Sequence, residues 1–288
     1  GDDSATEVAV MTEGGDRERL GDEVRFTPAM YLTHVLGERA AQGRPARLED
    51  CGVAPLVIGT WFSSVTEHLA TEAGAAPAEN WPYGSPAAPQ LFTGEVRGVR
   101  VSFATFPVGA PGTVAVLEEM VAAGARRIIG LGMAGSLHEQ APVGSLLLPG
   151  NCLREEGTSR HYLPPEAEVG PDPALRQALA RALAAACPEN ALHQGPHWTT
   201  DAIYREFIWK IEKYRAAGVL GVDMETSAMY AVGRFLGVPV ANVLVVSDEL
   251  WREWRPAFGT KELRQAMRRA AGALLAHLPD LAGASGPP

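Results

Sequence analysis

The sequence predicts a single α/β domain with a largely parallel sheet covered by helices, and three observations predict it. Short apolar runs of strand length alternate with longer stretches of helical period from Phe26 to His277. Several of the helical stretches are punctuated at their ends, with Pro171 opening one and Gly237 closing another. A length of 288 residues fits one α/β unit built on one large core.

The elements follow in chain order. Residues 1–24 are rich in Asp, Glu, Gly and Arg without periodicity and are expected to form a loose arm. The domain is expected over 25–280, and the Gly/Pro-rich residues 281–288 form a frayed tail. Within the domain, 55–58 reads as a strand and 65–73 as a helix, followed by strands 91–96 and 99–106 that turn at Arg97-Gly98. A helix over 113–123 leads to strands at 127–131 and 145–148. Helices are expected over 171–186, 226–236 and 260–277, with a buried strand at 240–246 between the last two. No internal repeat is present.

Composition excludes several classes of function. A hydrophobic fraction of 46% and a charged fraction of 20% are those of a globular chain, and no apolar run is long enough for a membrane span. The net charge of −9, with dispersed basic residues, gives no footprint for nucleic acid. Cys51, Cys152 and Cys187 lie far apart, outside metal-binding spacings, and read as small buried hydrophobes in a reducing cytoplasm. The acidic start of the chain lacks the basic and apolar regions of an export signal.

Ligands of α/β sheets collect at the carboxyl ends of strands, so polar residues following apolar strands are the candidates. Ser247-Asp248-Glu249 is one such place; partial burial would make Asp248 a proton donor, and capping of the next turn is the alternative. Asp223 and Glu225 stand at the entry to an Ala-rich helix. Asp223 suits the positive helix start, whereas Glu225 needs a partner for a buried charge, which a vicinal diol would supply. The small-residue turns 106–112 and 130–136 allow close backbone approach, although most such turns only serve chain geometry.

Six segments, in this order, resemble the purine nucleoside phosphorylase and uridine phosphorylase family. They are Gly109-Ala-Pro-Gly112, Gly132-Met-Ala-Gly135, Arg154-Glu-Glu-Gly-Thr-Ser159, Thr199-Thr-Asp-Ala202, Val222-Asp-Met-Glu-Thr-Ser-Ala228 and Val245-Val-Ser-Asp248, together spanning about half of the chain. The resemblance implies a single domain with a twisted mixed central sheet flanked by helices, in a homodimer or homohexamer with sites near subunit interfaces. It places Met224 and Glu225 on the ribose-contacting pair, and Asp248 on the acid that meets a purine at N7. Cleavage of the N-glycosidic bond passes through a ribosyl cation-like state, and an acid beside the base neutralises the leaving group. No metal or organic cofactor is implied; phosphate enters as a co-substrate.

The resemblance implies a purine-like base: bacterial uridine phosphorylases carry an insertion with a pyrimidine-reading Gln and Arg, whereas the interval from Asp201 to Glu225 is short and holds no Gln-x-Arg, and Asp248 points the same way. The family's stacking aromatic aligns with Ile203, so Trp198 or Tyr204 would have to replace it, although both also suit the core. Arg205 and Glu206 either reach a base edge or form a surface ion pair. His161 and Tyr162 read as surface-loop residues, with pocket lining as the alternative, and Trp251 and Trp254 as core packing of the loop after Asp248, with a lid as the alternative.

The resemblance breaks at phosphate. Where the family has a Gly-Asp-Pro-x-Arg turn this chain has Gly59-Thr-Trp-Phe-Ser-Ser64, and where it has an Arg and a Thr or Ser this chain has Gly130 and Met133. Three accounts follow. In the first, phosphorolysis is retained and the anion is held by Thr60, Ser63, Ser64, Ser136, Arg154 and helix-start amides such as that of Gly109. In the second, water replaces phosphate, with Glu67 as an activating base placed one helical turn late. In the third, the protein binds nucleosides without turnover. Phosphorolysis comes first, because the similarity is to phosphorylases.

Overall fold

The computed structural model describes residues 24–43, 47–186 and 192–283. The expected arm, except Val24, and Cys187 lie outside the described residues, as does the tail from 284 onward.

The strands among these residues are β1 (Leu56–Thr60), β2 (Ala76–Pro77), β3 (Gly84–Ser85), β4 (Ala88–Pro89), β5 (Leu91–Val96), β6 (Val99–Thr105), β7 (Arg127–Ser136), β8 (Leu146–Glu155), β9 (Leu192–Thr200), β10 (Gly221–Asp223), β11 (Val240–Glu249) and β12 (Arg255–Pro256). The helices are α1 (Pro28–Ala40), α2 (Ser63–Ala73), α3 (Ala110–Ala122), α4 (Pro173–Ala186), α5 (Ile208–Ala216), α6 (Thr226–Leu236), α7 (Lys261–Ala276) and α8 (Leu278–Ala282). The last of these corrects the expected start of the tail, because Leu281 is fully buried and anchors the chain past residue 280.

β1 lies between β6 and β7, parallel to both, and β5 returns antiparallel to β6 through Arg97 and Gly98. Both turn residues have positive φ, as a tight right-twisted hairpin requires. Beyond β7 the sheet closes on itself. β7 pairs with β11 along most of its length and with β10 at its end, and β10, β9, β8 and β11 complete the circuit. A mixed sheet that is open on one flank and ring-like on the other is the result.

Strand alternation sends successive side chains to opposite faces. Leu56, Ile58, Ile129 and Leu131 meet α2, α4 and α7 in one core, whereas Val57 and Ile128 meet α1, α3 and α6 in the other. The large, nearly unbroken apolar run of β11, buried from Val240 to Val246, is explained by burial on both faces. A register shift between Val246 and Asp248 ends that run. Such a bulge bends the strand and re-aims the residues that follow it.

Candidate active site

Asp248 emerges at this bulge and Glu225 at the start of α6, and both border one cavity of about 650 Å³. Its wall also includes Asp223, Met224, Ser247 and Met133, with Ile203, Tyr204 and Glu206 from the loop after β9.

The α6 entry is fixed by a buried polar network. Asp223 accepts from Thr199 Oγ1 at 2.9 Å, from the Thr226 N–H at 3.1 Å and from Thr226 Oγ1 at 2.5 Å. Asn242 Nδ2 donates to Thr226 Oγ1 at 2.8 Å, and the Ser227 N–H donates to Thr199 Oγ1 at 3.0 Å. Asp223 therefore serves the helix start, as the sequence suggests, while also facing the cavity. His197 Nε2 lies 3.2 Å from Asp223 Oδ1, fully buried but out of hydrogen-bond alignment.

With its neighbour held in this way, Glu225 accepts the Gly109 N–H at 2.7 Å, at the N-terminus of α3. Burial, and next the negative charge of Asp223, hold the Glu225 carboxyl above the usual carboxylate range, against the pull of the Gly109 amide. Two hydroxyl donors from a sugar diol would favour its charged form.

Asp248 accepts from Ser247 Oγ at 2.7 Å and from Trp254 Nε1 at 2.9 Å. Trp254 is 62% exposed and lines the cavity, so of the two expected places it takes the mouth of the site and not the core. The cause is its hydrogen bond to Asp248, which holds the indole at the mouth of the site. Glu206 also faces the cavity and is without a hydrogen bond or ion pair among the described residues. Burial, and secondarily the charge of Asp248, push its carboxyl up to about 7. The surface ion pair weighed for it from sequence is not formed.

Other expectations need correction. Trp198 is fully buried against Leu137, Ile211, Val219 and Val222, with Nε1 donating to Glu155 at 3.0 Å, and it does not border the cavity. It lies within β9, a strand whose buried end the sequence pattern did not reveal. Tyr204 does border the cavity, as a rim residue that is 91% exposed. Arg205 is exposed and outside the lining, with Nη1 on the Tyr204 carbonyl.

The expected phosphate set does not assemble. Thr60 is fully buried and shares a 2.7 Å hydrogen bond with Thr66; Ser136 is fully buried and donates to the His138 carbonyl. Arg154 spends its guanidinium on Ser159 Oγ and the carbonyls of Leu163, Pro164 and Ala167. The Gly109 amide is taken by Glu225. None of the four, nor Ser63, Ser64 or Glu67, borders the cavity.

Trp61 stands there instead. Its indole donates to Thr113 Oγ1 at 2.9 Å and packs edge-on against Phe106. The ring lies on the glycines of β7: a Cβ added to Gly132 would be 2.8 Å from Trp61 Cζ3, and one added to Gly130 would be 3.1 Å from Cη2. A Trp opposite two glycines on a neighbouring strand was the signal in the sequence.

Closed mixed sheet, strand-end acid and helix-start carboxylate together define an α/β protein with a cavity at its strand ends, the place where ligands of such sheets collect. Residues 59–279 match the phosphorylase superfamily, and the chain belongs to that family. It is 30% identical over 165 residues to a DeoD-type purine nucleoside phosphorylase of Bacillus cereus, covering 56% of this chain and 68% of that one. It is 26% identical over 154 residues to the guanosine phosphorylase of Halorubrum lacusprofundi, covering 53% and 63%. The matches thus span 61% to 68% of these curated relatives' lengths. In fold, it resembles the purine nucleoside phosphorylase of Toxoplasma gondii solved with immucillin-H, with a TM-score of 0.71, 23% identity, and coverage of 82% of this chain and 94% of that one.

Proposed function

We propose that the cavity binds a purine-type ribonucleoside and cleaves its N-glycosidic bond. One observation carries this reading: Asp248 and Glu225, from separate strand and helix ends, border the same space of about 650 Å³. That volume suits a ligand of nucleoside size. Glu225 and Met224 hold the ribose, and Asp248 faces the base and neutralises it as the C1′–N bond opens. Glu206 adds a second acid on the base side. Ile203 and Tyr204 supply the surface against which the base lies, in place of Trp198.

The relatives named as guanosine and purine nucleoside phosphorylases support the purine assignment and the transfer of a pentosyl group. Exposed Phe62, Val108, Ile203, Tyr204, Trp254 and Phe258 at the cavity mouth support a homodimer or homohexamer that shields the site; the cytoplasm is the compartment proposed for it.

Incubation with inosine, guanosine, adenosine and uridine, with the freed base measured by chromatography, tests the proposal. Purine bases are expected to appear faster than uracil. Release of no base from any of the four removes the reading, and faster release of uracil overturns the purine assignment.

A further inference from the structure

We infer that the acceptor of the glycosyl group in this cavity is neutral, a water molecule, and that the protein is a nucleoside hydrolase without a site for inorganic phosphate. The inference rests on the cleavage reading above and specifies its second half.

Three features of the cavity converge. The first is charge. No Lys, Arg or His is among the described residues that border the cavity, whereas four carboxyl side chains are: Glu206, Asp223, Glu225 and Asp248. A phosphate dianion entering beside the sugar would find no cationic side chain among these described residues, in a space that is mostly apolar and therefore screens poorly. Phosphate sites are ordinarily made from guanidinium forks, ammonium groups or converging amides.

The second feature is volume. Trp61 lies over Gly130 and Gly132, held by its hydrogen bond to Thr113 and its edge contact with Phe106. The aromatic ring fills the space that longer polar side chains on those β7 positions would occupy. A side chain at Gly130 would also collide with Asn242, whose Oδ1 would be 2.3 Å from the added Cβ. The geometry leaves no room for a longer side chain at either glycine.

The third feature is the helix start. A helix N-terminus can receive an anion through its free amides. At α3 the Gly109 amide is already satisfied, by the carboxylate of Glu225. One amide of this helix start is thus already used by a protein group.

Water fits where phosphate does not, because it carries no charge and is small enough to share the sugar side with the Trp61 ring. The chemistry balances without another reactant. The C1′–N bond breaks with its electron pair going to the base, and the water oxygen bonds to C1′. A water proton passes to a carboxylate on the sugar side, Asp223 or Glu225, and the base receives one from the Asp248 and Glu206 side. The products are the free pentose and the neutral base.

The test uses the whole protein and one nucleoside from the panel above, in phosphate-free buffer and then with phosphate titrated through the millimolar range. The expected result is base release at a rate that phosphate does not change, with free pentose as the sugar product. In water enriched in oxygen-18, the label is expected at C1 of that pentose. Pentose 1-phosphate as the product, or a rate that rises saturably with phosphate, would overturn the inference while leaving the cleavage reading intact. Absence of base release would instead strike the cleavage reading, so the acceptor site is also probed by binding alone. Calorimetric titration of inorganic phosphate, with and without nucleoside present, is expected to give no saturable heat; saturable binding that nucleoside strengthens would overturn the inference whether or not turnover occurs.

Discussion

The two walls of the cavity are cut from neighbouring strand ends and have opposite chemistry. On the β10, α6 and β11 side, Asp223, Glu225 and Asp248 are set by hydrogen bonds to Thr199, Thr226, Gly109, Ser247 and Trp254. On the β1 and β7 side stand Trp61, Phe62, Met133 and Ala134, with no charge among them. β7 belongs to both, pairing with β1 on one edge and with β10 and β11 on the other. The scaffold is therefore shared, and the difference is made by the residues at the strand ends. One wall carries the carboxyl groups proposed to meet the sugar and the leaving base, and the other has an indole packed on two glycines. The fold alone therefore does not fix the reaction.

The largest expected effect lies on the polar wall. Asp248→Asn removes the acid facing the base while leaving an acceptor for Trp254, and kcat/KM for purine nucleosides should fall about 10²- to 10⁴-fold. Unchanged kinetics would break the division of labour between the walls.

Next in size is Trp61→Ala. The side chain is nearly buried and bonded to Thr113, so its loss should cost about 3–5 kcal/mol in urea unfolding. If Trp61 is a filler of the acceptor wall, the nucleoside KM of the folded variant stays near that of the wild type. A steep rise in KM would make the indole a sugar contact and erase the contrast between the walls.

Glu225→Gln is milder. The amide can still accept from Gly109 but no longer presents a charged acceptor to the ribose hydroxyls. KM should rise about tenfold to a hundredfold, as expected for losing a hydrogen bond to a charged group. A fall in kcat alone, at constant KM, would assign Glu225 to taking the water proton rather than to sugar binding.

The polar wall was the more legible of the two in sequence. Helix 226–236 and strand 240–246 carry their periodicity openly, and Asp248 and Glu225 mark their ends. The ring closure was not legible. Leu192–Thr200 mixes His, Gln, Gly and Pro with its apolar residues, so the pattern of β9 does not read as a strand and leaves the burial of Trp198 hidden. Its burial depends on α5 and on Val219 and Val222, partners brought together only by the closed sheet. The acceptor wall was half legible: the missing arginines were visible, but their replacement by Trp61 required knowing that Gly59 pairs with Gly130. Thr60, Ser136 and Arg154 are the right chemical types for an anion, yet each is committed to a local partner that only the coordinates reveal.

The smallest expected effect concerns Glu206 and separates it from its neighbour Asp248. Burial and the Asp248 charge raise its carboxyl from an ordinary 4.5 to about 7, so the folded state binds this proton more tightly than the unfolded chain does. The sign follows: stability from this group is complete below pH 4.5 and is lost as pH rises through 7. Glu206→Gln removes the titration, so the variant should gain on the wild type between pH 5 and pH 8, by on the order of 1 kcal/mol once solvent screening is allowed for. Urea midpoints of both proteins across that range provide the check. In an Asp248→Asn background the gain should shrink without vanishing, because burial is the larger of the two causes and Asp248 the smaller. A difference between variant and wild type that stays flat with pH would show that Glu206 titrates as an ordinary surface carboxyl, and the polar wall would then end at Asp248.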